Sequence, residues 1–330
     1  MYQRIATGVV GVAALLFVVM LDAFIAGRAG EWGVAADLLS RGSVIPLLFA
    51  MIMVAAVVES SDLMRRAGCR PHTGLAAVWV VVLMVSPWLC AGRMLGDAPA
   101  DVEGFRWQVI WLSGSFVCVG TWHLKRGVDR AALADLGSTI LLILYLGLLP
   151  SFAVQLRSGT DMGDPHDGAW IILIVLAIAL ATDVFALFAG MAFGRHPLAP
   201  AISPQKTVEG AIGGILGSIL VALLIYAVAR LVGSSDAEIQ DVGNRSETLL
   251  DRMTGVFDRM SLIQVIVLGA VLSIMAQVGD LFESQLKRSA QVKDSSAVIP
   301  GMGGVLDVID GVVFAVPAAW VLLSCVWGLV

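Results

Sequence analysis

Hydrophobic positions in this chain gather in long runs, with the polar positions lying between the runs instead of alternating with them. About 20 apolar residues cross the roughly 30 Å hydrocarbon core of a bilayer as a helix. The pattern therefore predicts membrane helices at Ile5 to Ile25, Val44 to Val58, Leu75 to Cys90, Trp107 to Trp122, Ser138 to Leu156, Ala169 to Gly194, Gly210 to Val232, Ser261 to Gly279 and Gly311 to Val330. The second and third are short, and Pro87 interrupts the third. The expected fold class is all-α, a polytopic membrane protein with about nine transmembrane helices. It forms one integral unit, with residues 1–168 as N-terminal helices and 169–330 as the region holding two unusual polar segments.

Composition agrees with the pattern. Of 330 residues, 58% are hydrophobic and 14% charged, against roughly 45–50% and about 25% in soluble domains. The runs recur along the whole length, so a cleaved signal peptide does not account for them. Lys and Arg sort by side. Arg4, the group Arg65, Arg66 and Arg70, the group Lys125, Arg126 and Arg130, the pair Arg195 and Lys206, and the trio Lys287, Arg288 and Lys293 fall on alternate sides of successive helices, hence on one face. The positive-inside bias makes that face, and the N-terminus, cytoplasmic. The expected location is the inner cell membrane. The net charge of -5 says little about partners, and nucleic acid is not expected among them. Cys69, Cys90, Cys118 and Cys325 show no CxxC spacing and read as buried free thiols. The longest polar insertion, Gly233 to Met260, reads as an amphipathic hairpin or loop on the opposite side.

Two segments on the cytoplasmic side break the apolar pattern. In residues 194–214, Ser203 followed by Pro204 reads as an N-cap with proline at the first helical position, so a helix is expected to start there. Lys206 and Thr207 would lie in its first turn, where exposed amides and the helix dipole favour a phosphate. Gly210 with Gly214, and Gly213 with Gly217, each make a GxxxG step, which lets this helix approach a neighbour closely.

The second segment, GDLFESQLKRSAQVKDSSAVIPGMGGVLDVID, places eight charged residues in positions 279–310. The helix ending the eighth run should continue through Asp280, Glu283, Ser284, Lys287 and Arg288, since no Pro or Gly interrupts it. Asp280, Glu283, Ser284 and Lys287 then share one stripe. The chain breaks at Pro300, Gly301, Gly303 and Gly304 and restarts as a helix bearing Asp307 and Asp310 on one face. Two carboxylate-bearing helix ends flanking a glycine turn suit a divalent cation such as Mg²⁺, one ion or two, since Mg²⁺ takes one or two protein carboxylates and fills its shell with phosphate and water. Basic residues beside them suit a nucleotide triphosphate, and the membrane supplies a lipid headgroup. That combination points to transfer of a phosphoryl or nucleotidyl group to a lipid.

The stretch SQLKRSAQVKDSSAVIPGMGGVLDVID resembles the C-terminal signature of the phosphatidate cytidylyltransferase (CDP-diacylglycerol synthase) family. Ser284, Lys287, Arg288, Lys293, Asp294, Pro300, Gly301, Gly303, Gly304, Asp307 and Asp310 match it in type and spacing; Asp183, SPQKTVEG at Ser203 to Gly210, and Gly279–Asp280 resemble further family positions. The resemblance covers the C-terminal half and implies Mg²⁺-dependent reaction of CTP with phosphatidate to give CDP-diacylglycerol and pyrophosphate, in a homodimer. It implies Asp280 and Asp310 as metal ligands, with Asp183 and Glu283 supporting them. Lys287, Arg288, Lys293, Asp294 and Asp307 would serve catalysis, and Ser203, Lys206, Thr207, Ser284, Gly303 and Gly304 would contact substrate. Two positions depart: Met302 stands where the family has histidine, and Val308 where it has arginine. The competing readings are a transporter with Asp22, Glu59 and Asp183 along its path and a charged cytoplasmic gate, and a catalytically silent paralogue.

Overall fold

The structure, a computed structural model, describes residues 17–22, 24–26, 28, 42–91, 100–125, 131–158, 167–236, 257, 259–296, 298–299 and 303–329. In chain order these hold α1 (Val44–Arg66), α2 (Thr73–Ala91), α3 (Ala100–Leu124), α4 (Ala132–Ile143), a π-helical segment (Leu144–Leu148), α5 (Leu149–Ser158), α6 (Asp167–Phe193), strands β1 (Pro197–Ala199) and β2 (Ser203–Thr207), α7 (Val208–Asp236), α8 (Leu262–Ser289) and α9 (Leu306–Trp320). A second π-helical segment, Val321–Val326, continues α9.

Seven helices among the described residues are long and apolar enough to cross a membrane: α1, α2, the continuous rod from α4 to α5, α6, α7, α8 and α9 with its continuation. The chain is an integral membrane protein. Of the other two expected spans, Ile5 to Ile25 lies largely outside the described residues. Trp107 to Trp122 lies within α3, which is helical over 25 residues. Gln108, Ser113, Ser115, Thr121 and His123 dilute its apolar content. The expected hairpin at Gly233 to Met260 also lies mostly outside the described residues.

Local chemistry explains several helix limits. α1 runs eight residues past its expected end, because Glu59, Ser60 and Ser61 are buried inside the fold rather than at its surface. α2 passes through Pro87 without breaking. Proline leaves the carbonyl four residues back without its amide donor, and here the Ser86 hydroxyl donates to that carbonyl, on Leu83, at 3.3 Å. At the start of α8, Ser261 and Gln264 form a reciprocal capping box, with the Ser261 amide donating to Gln264 Oε1 at 2.7 Å.

One expected helix start is corrected. Ser203 and Pro204 do not begin α7; they lie in β2, which pairs antiparallel with β1. A two-stranded ribbon has only edges, where a proline without an N–H costs no ladder bond. Thr207 is the cap instead: its hydroxyl accepts from the Gly210 amide at 3.1 Å. Glu209 in the first turn folds back to accept from the amides of Arg195 and His196 at 3.0 and 3.2 Å, pinning the hairpin to the helix.

Close helix packing follows the small residues. On α7, a Cβ at Gly213 would strike Ala189 of α6, one at Gly217 would strike Phe185, and one at Gly210 would stand 2.9 Å from the Ala186 carbonyl. The expected GxxxG approach is therefore present, against α6. Thr182 and Ser218 hydrogen-bond across the same interface at 2.7 Å. The apolar interior forms two clusters. One joins α5 to α9, and the other joins α1, α2, α4 and the first π-helical segment to Leu306 and Val313 of α9.

Candidate active site

The site is made by a helix crossing. Gly279 of α8 lies against the Asp310 carbonyl of α9, with no room for a Cβ, and a Cβ added at Gly311 of α9 would stand 3.2 Å from the Ala276 carbonyl. Each glycine lets the other backbone come close. Asp280 and Glu283, just past Gly279, are thereby carried next to Asp310, just before Gly311. One carboxylate oxygen from each of the three lies within 4.8 Å of the others.

Charge around this triad is unbalanced. Lys206, from β2, forms an ion pair with Asp280. Lys287, one turn past Glu283, forms an ion pair with it and another with Asp307 at 2.6 Å. Asp280, Glu283, Asp307 and Asp310 thus set four carboxyl groups against two ammonium groups. Glu283 is buried, and Lys287 meets one of its oxygens. Asp310 accepts from its neighbouring Gly311 amide at 2.6 Å. Carboxylates buried at this density are stabilised by taking up a proton or by a cation among them.

The donor set suits magnesium. It consists only of hard carboxylate oxygens, and ligands on opposite sides of Mg²⁺ stand about 4 Å apart. The spread of the triad is close to that scale.

Asp183 is not among the three. It lines an adjoining cleft of about 610 Å³, together with Asp280, Lys206, Ser203, Thr207 and Gln277. Most of the cleft's lining is apolar, with Leu187 and Met191, exposed on the flank of α6, on one wall. An amphiphile with an anionic head and an acyl tail has the matching polarity.

The remaining expected residues take other positions. Asp307 is a hub: its carboxylate accepts from the amides of Ser295 (3.0 Å) and Gly304 (2.7 Å) and from the Ser295 hydroxyl (2.7 Å), besides pairing with Lys287. Gly303, at φ +97°, exchanges backbone hydrogen bonds with Ile299. The Gly303 and Gly304 amides are therefore engaged within the loop. Arg288 donates to the Ile202 carbonyl at 3.2 Å, tying the hairpin turn to α8. Ser284 is buried on α8, whereas Lys293 and Asp294 are exposed on the segment after it. Val308 lies in the first turn of α9, and Pro300, Gly301 and Met302 lie outside the described residues.

Glu59 belongs to this region too, although the sequence placed it on a transporter's path instead. From α1 it accepts from the Ser296 hydroxyl (2.6 Å) and from the amides of Val305 (3.1 Å) and Leu306 (2.9 Å), capping α9 across more than 230 residues of chain. The available signal was a carboxylate in an apolar run, which must find donors inside the fold. Asp22 finds its own at the other end of α1, where it pairs with buried Arg157 at 2.6 Å and accepts from the amides of Val44 (2.8 Å) and Ile45 (3.2 Å). Fifteen helical residues separate Val44 from Glu59, about 22 Å. Asp22 and Glu59 are thus engaged in separate anchoring clusters and do not form the continuous path that a transporter requires.

Residues 2–326 match the model of the cytidylyltransferase family. The chain belongs to that family. It is 28% identical over 290 residues to the phosphatidate cytidylyltransferase of Staphylococcus epidermidis, covering 87% of this chain and 92% of the relative. Its similarity to the Synechocystis phosphatidate cytidylyltransferase is 28% over 339 residues, with 96% and 94% coverage. To that of Haemophilus influenzae it is 37% identical over 179 residues, 54% of each chain. The family match reaches into the N-terminal half, and so includes the helix that supplies Glu59. As a cytidylyltransferase the chain is a nucleotidyl-transferring enzyme, and the acidic triad with its cleft is the candidate active site.

Proposed function

We propose that this cytidylyltransferase is a phosphatidate cytidylyltransferase, which joins CTP and phosphatidate into CDP-diacylglycerol and pyrophosphate and depends on Mg²⁺. The observation that carries the reading is the meeting of Asp280, Glu283 and Asp310 within 4.8 Å beside a mostly apolar cleft with Lys206 and Asp183 on its lining. The names of the relatives support the choice of lipid.

In this reading an anionic phosphate oxygen of phosphatidate attacks the α-phosphorus of CTP. The new O–P bond forms as the bond to the β-phosphate breaks, and pyrophosphate leaves. The attacking oxygen is already ionised, so no general base is required. The obstacle is repulsion between two anions, and catalysis is mainly positioning and charge stabilisation. Asp280, Glu283 and Asp310 would hold Mg²⁺, one ion or two, which supplies neutralising charge to the phosphates when bound. Lys206 and Lys287 add positive charge on either side. Lys287 also keeps Glu283 and Asp307 together, and Asp307 and Glu59 hold the segment that leads into α9. Arg288 steadies the hairpin carrying Ser203, Lys206 and Thr207. Asp183 and Ser284 flank the triad, Gly303 and Gly304 shape the turn, and Lys293 and Asp294 face incoming nucleotide. The apolar wall at Leu187 and Met191 receives the acyl region from the bilayer.

The lysines and arginines of this face set it toward the cytoplasm, with the N-terminus on the same side of an inner membrane. α3, with Phe105, Val109, Ile110, Phe116 and Val117 exposed, completes a set of nine spans together with the first apolar run. Residues 1–168 serve as scaffold and 169–330 as the catalytic region of one unit, which the resemblance makes a homodimer.

Purified protein should release pyrophosphate only when CTP, phosphatidate and Mg²⁺ are all present. Asp280→Asn should abolish the release without loss of folded protein. Normal turnover by that variant would remove the metal-site assignment, and turnover of CTP without lipid would remove the choice of acceptor.

A further inference from the structure

Tyr145 comes from the N-terminal half, in the π-helical segment between α4 and α5. A π-helical turn shifts the facing of the side chains it carries and recurs at functional sites. Here it turns a buried phenol toward the crossing of α8 and α9. The ring packs edge-on against Phe282 at 5.0 Å and tilted against Phe314 at 5.9 Å. Phe282 immediately precedes Glu283, and Phe314 lies one helical turn beyond Asp310. The hydroxyl is within electrostatic reach of Asp310, Glu283 and Asp280.

That hydroxyl has no hydrogen-bond partner among the described residues. Buried phenols almost always find one. Packing does not account for it, since a phenylalanine would make the same ring contacts without stranding a donor. The ring lies against the aromatic residues that flank Glu283 and Asp310, and its O–H is given to no described residue there.

We propose that the Tyr145 hydroxyl donates a hydrogen bond to an oxygen that arrives with the cation at Asp280, Glu283 and Asp310, either a coordinated water or a phosphate oxygen of the nucleotide. The inference rests on the triad being a cation site. It gives the N-terminal helices a direct part in the chemistry: Tyr145 orients a ligand oxygen that the C-terminal signature alone cannot reach.

Tyr145→Phe removes only the stranded hydroxyl. In the full chain, its melting temperature without ligand should equal or exceed that of wild type, while kcat falls about 10- to 100-fold, the usual cost of losing an outer hydrogen bond at a metal centre. Stabilisation by Mg²⁺ alone and by Mg²⁺ with CTP separates the two sources of oxygen. A smaller shift with Mg²⁺ alone identifies a coordinated water. An intact Mg²⁺ shift with a reduced additional shift from CTP identifies a phosphate. A variant with wild-type kcat and wild-type shifts overturns the proposal, as does one that loses stability while keeping kcat.

A second measurement needs no change at the site. The chain has three tyrosines, so Tyr2→Phe with Tyr226→Phe leaves Tyr145 as the sole position for 3-fluorotyrosine. Its fluorine resonance should move on adding Mg²⁺ or Mg²⁺ with CTP, and a fixed resonance overturns the proposal. Wild-type protein that neither turns over nor gains stability with Mg²⁺ would instead remove the reading of the triad itself.

Discussion

A buried carboxylate sits at each end of α1, Asp22 from an earlier segment and Glu59 from α1 itself, and the clusters around them are built on opposite principles. At one end Asp22 meets Arg157 and two backbone amides, so its charge is met within the chain. At the other, near Glu59, the α8–α9 crossing gathers Asp280, Glu283 and Asp310, and the ammonium groups of Lys206 and Lys287 beside them are fewer than the carboxylates they meet. Glu59 and Asp307 are the satisfied members of that region, and their donors are loop amides and hydroxyls. The contrast separates a clamp from a site. Where a fold completes its own charges, it gains rigidity; where it leaves them incomplete beside a cleft, it holds room for ligands that bring the missing charge.

The comparison breaks most sharply at the triad. Asp310→Asn should lower turnover by about 10³-fold or more, while the melting temperature without metal stays level or rises, because one of three crowded charges is gone. Assays of pyrophosphate release and thermal unfolding in detergent would check both halves, and a fall in stability would place Asp310 with the clamps. At the opposite end, Arg157→Met leaves Asp22 buried without its cation. It should cost about 3–5 kcal/mol and reduce folded yield. Asp22→Asn with Arg157→Met should recover part of that loss. If the single variant melts like wild type, the pair is not a clamp.

Glu59→Gln keeps the size but can accept with only one oxygen. Stability should drop by about 1–3 kcal/mol and activity about 10-fold or more, with the loss appearing in kcat as the α9 segment loosens. Gly279→Ala pushes a methyl against the Asp310 carbonyl, with an expected cost of about 1–3 kcal/mol and a wider triad. Gly137→Ala in α4, where a Cβ meets nothing within 4 Å, should be neutral or stabilise by up to about 1 kcal/mol. Equal melting temperatures for these two glycine variants would remove the close crossing from the account.

Much of this arrangement could be read along the chain, because apolar runs and helical spacing are local. The continuation of α8 through Asp280, Glu283 and Lys287 followed from an interval without Pro or Gly, and the restart at α9 followed from the glycine turn. The grouping of Asp280 with Asp310 was legible only through the family resemblance, since it depends on Gly279 fitting an opposing backbone. Ser203–Pro204 carried a valid helix-start signal, but Thr207 offered the cap that the hairpin geometry could use. The partners of Glu59 and Tyr145 were illegible for one reason: they lie more than 130 residues away, and no periodicity records a contact of that range. Ser86 shows the same limit over a shorter distance, since Pro87 alone suggested an interruption that one hydroxyl bridges.

The most direct test uses Mn²⁺ in place of Mg²⁺, with its position located by anomalous diffraction from crystals of the wild-type chain. The account predicts a peak bonded to oxygens of Asp280, Glu283 and Asp310, absent when Asp310 is asparagine. A fully occupied ion elsewhere, with the triad oxygens bonded only to Lys206 and Lys287, would contradict it.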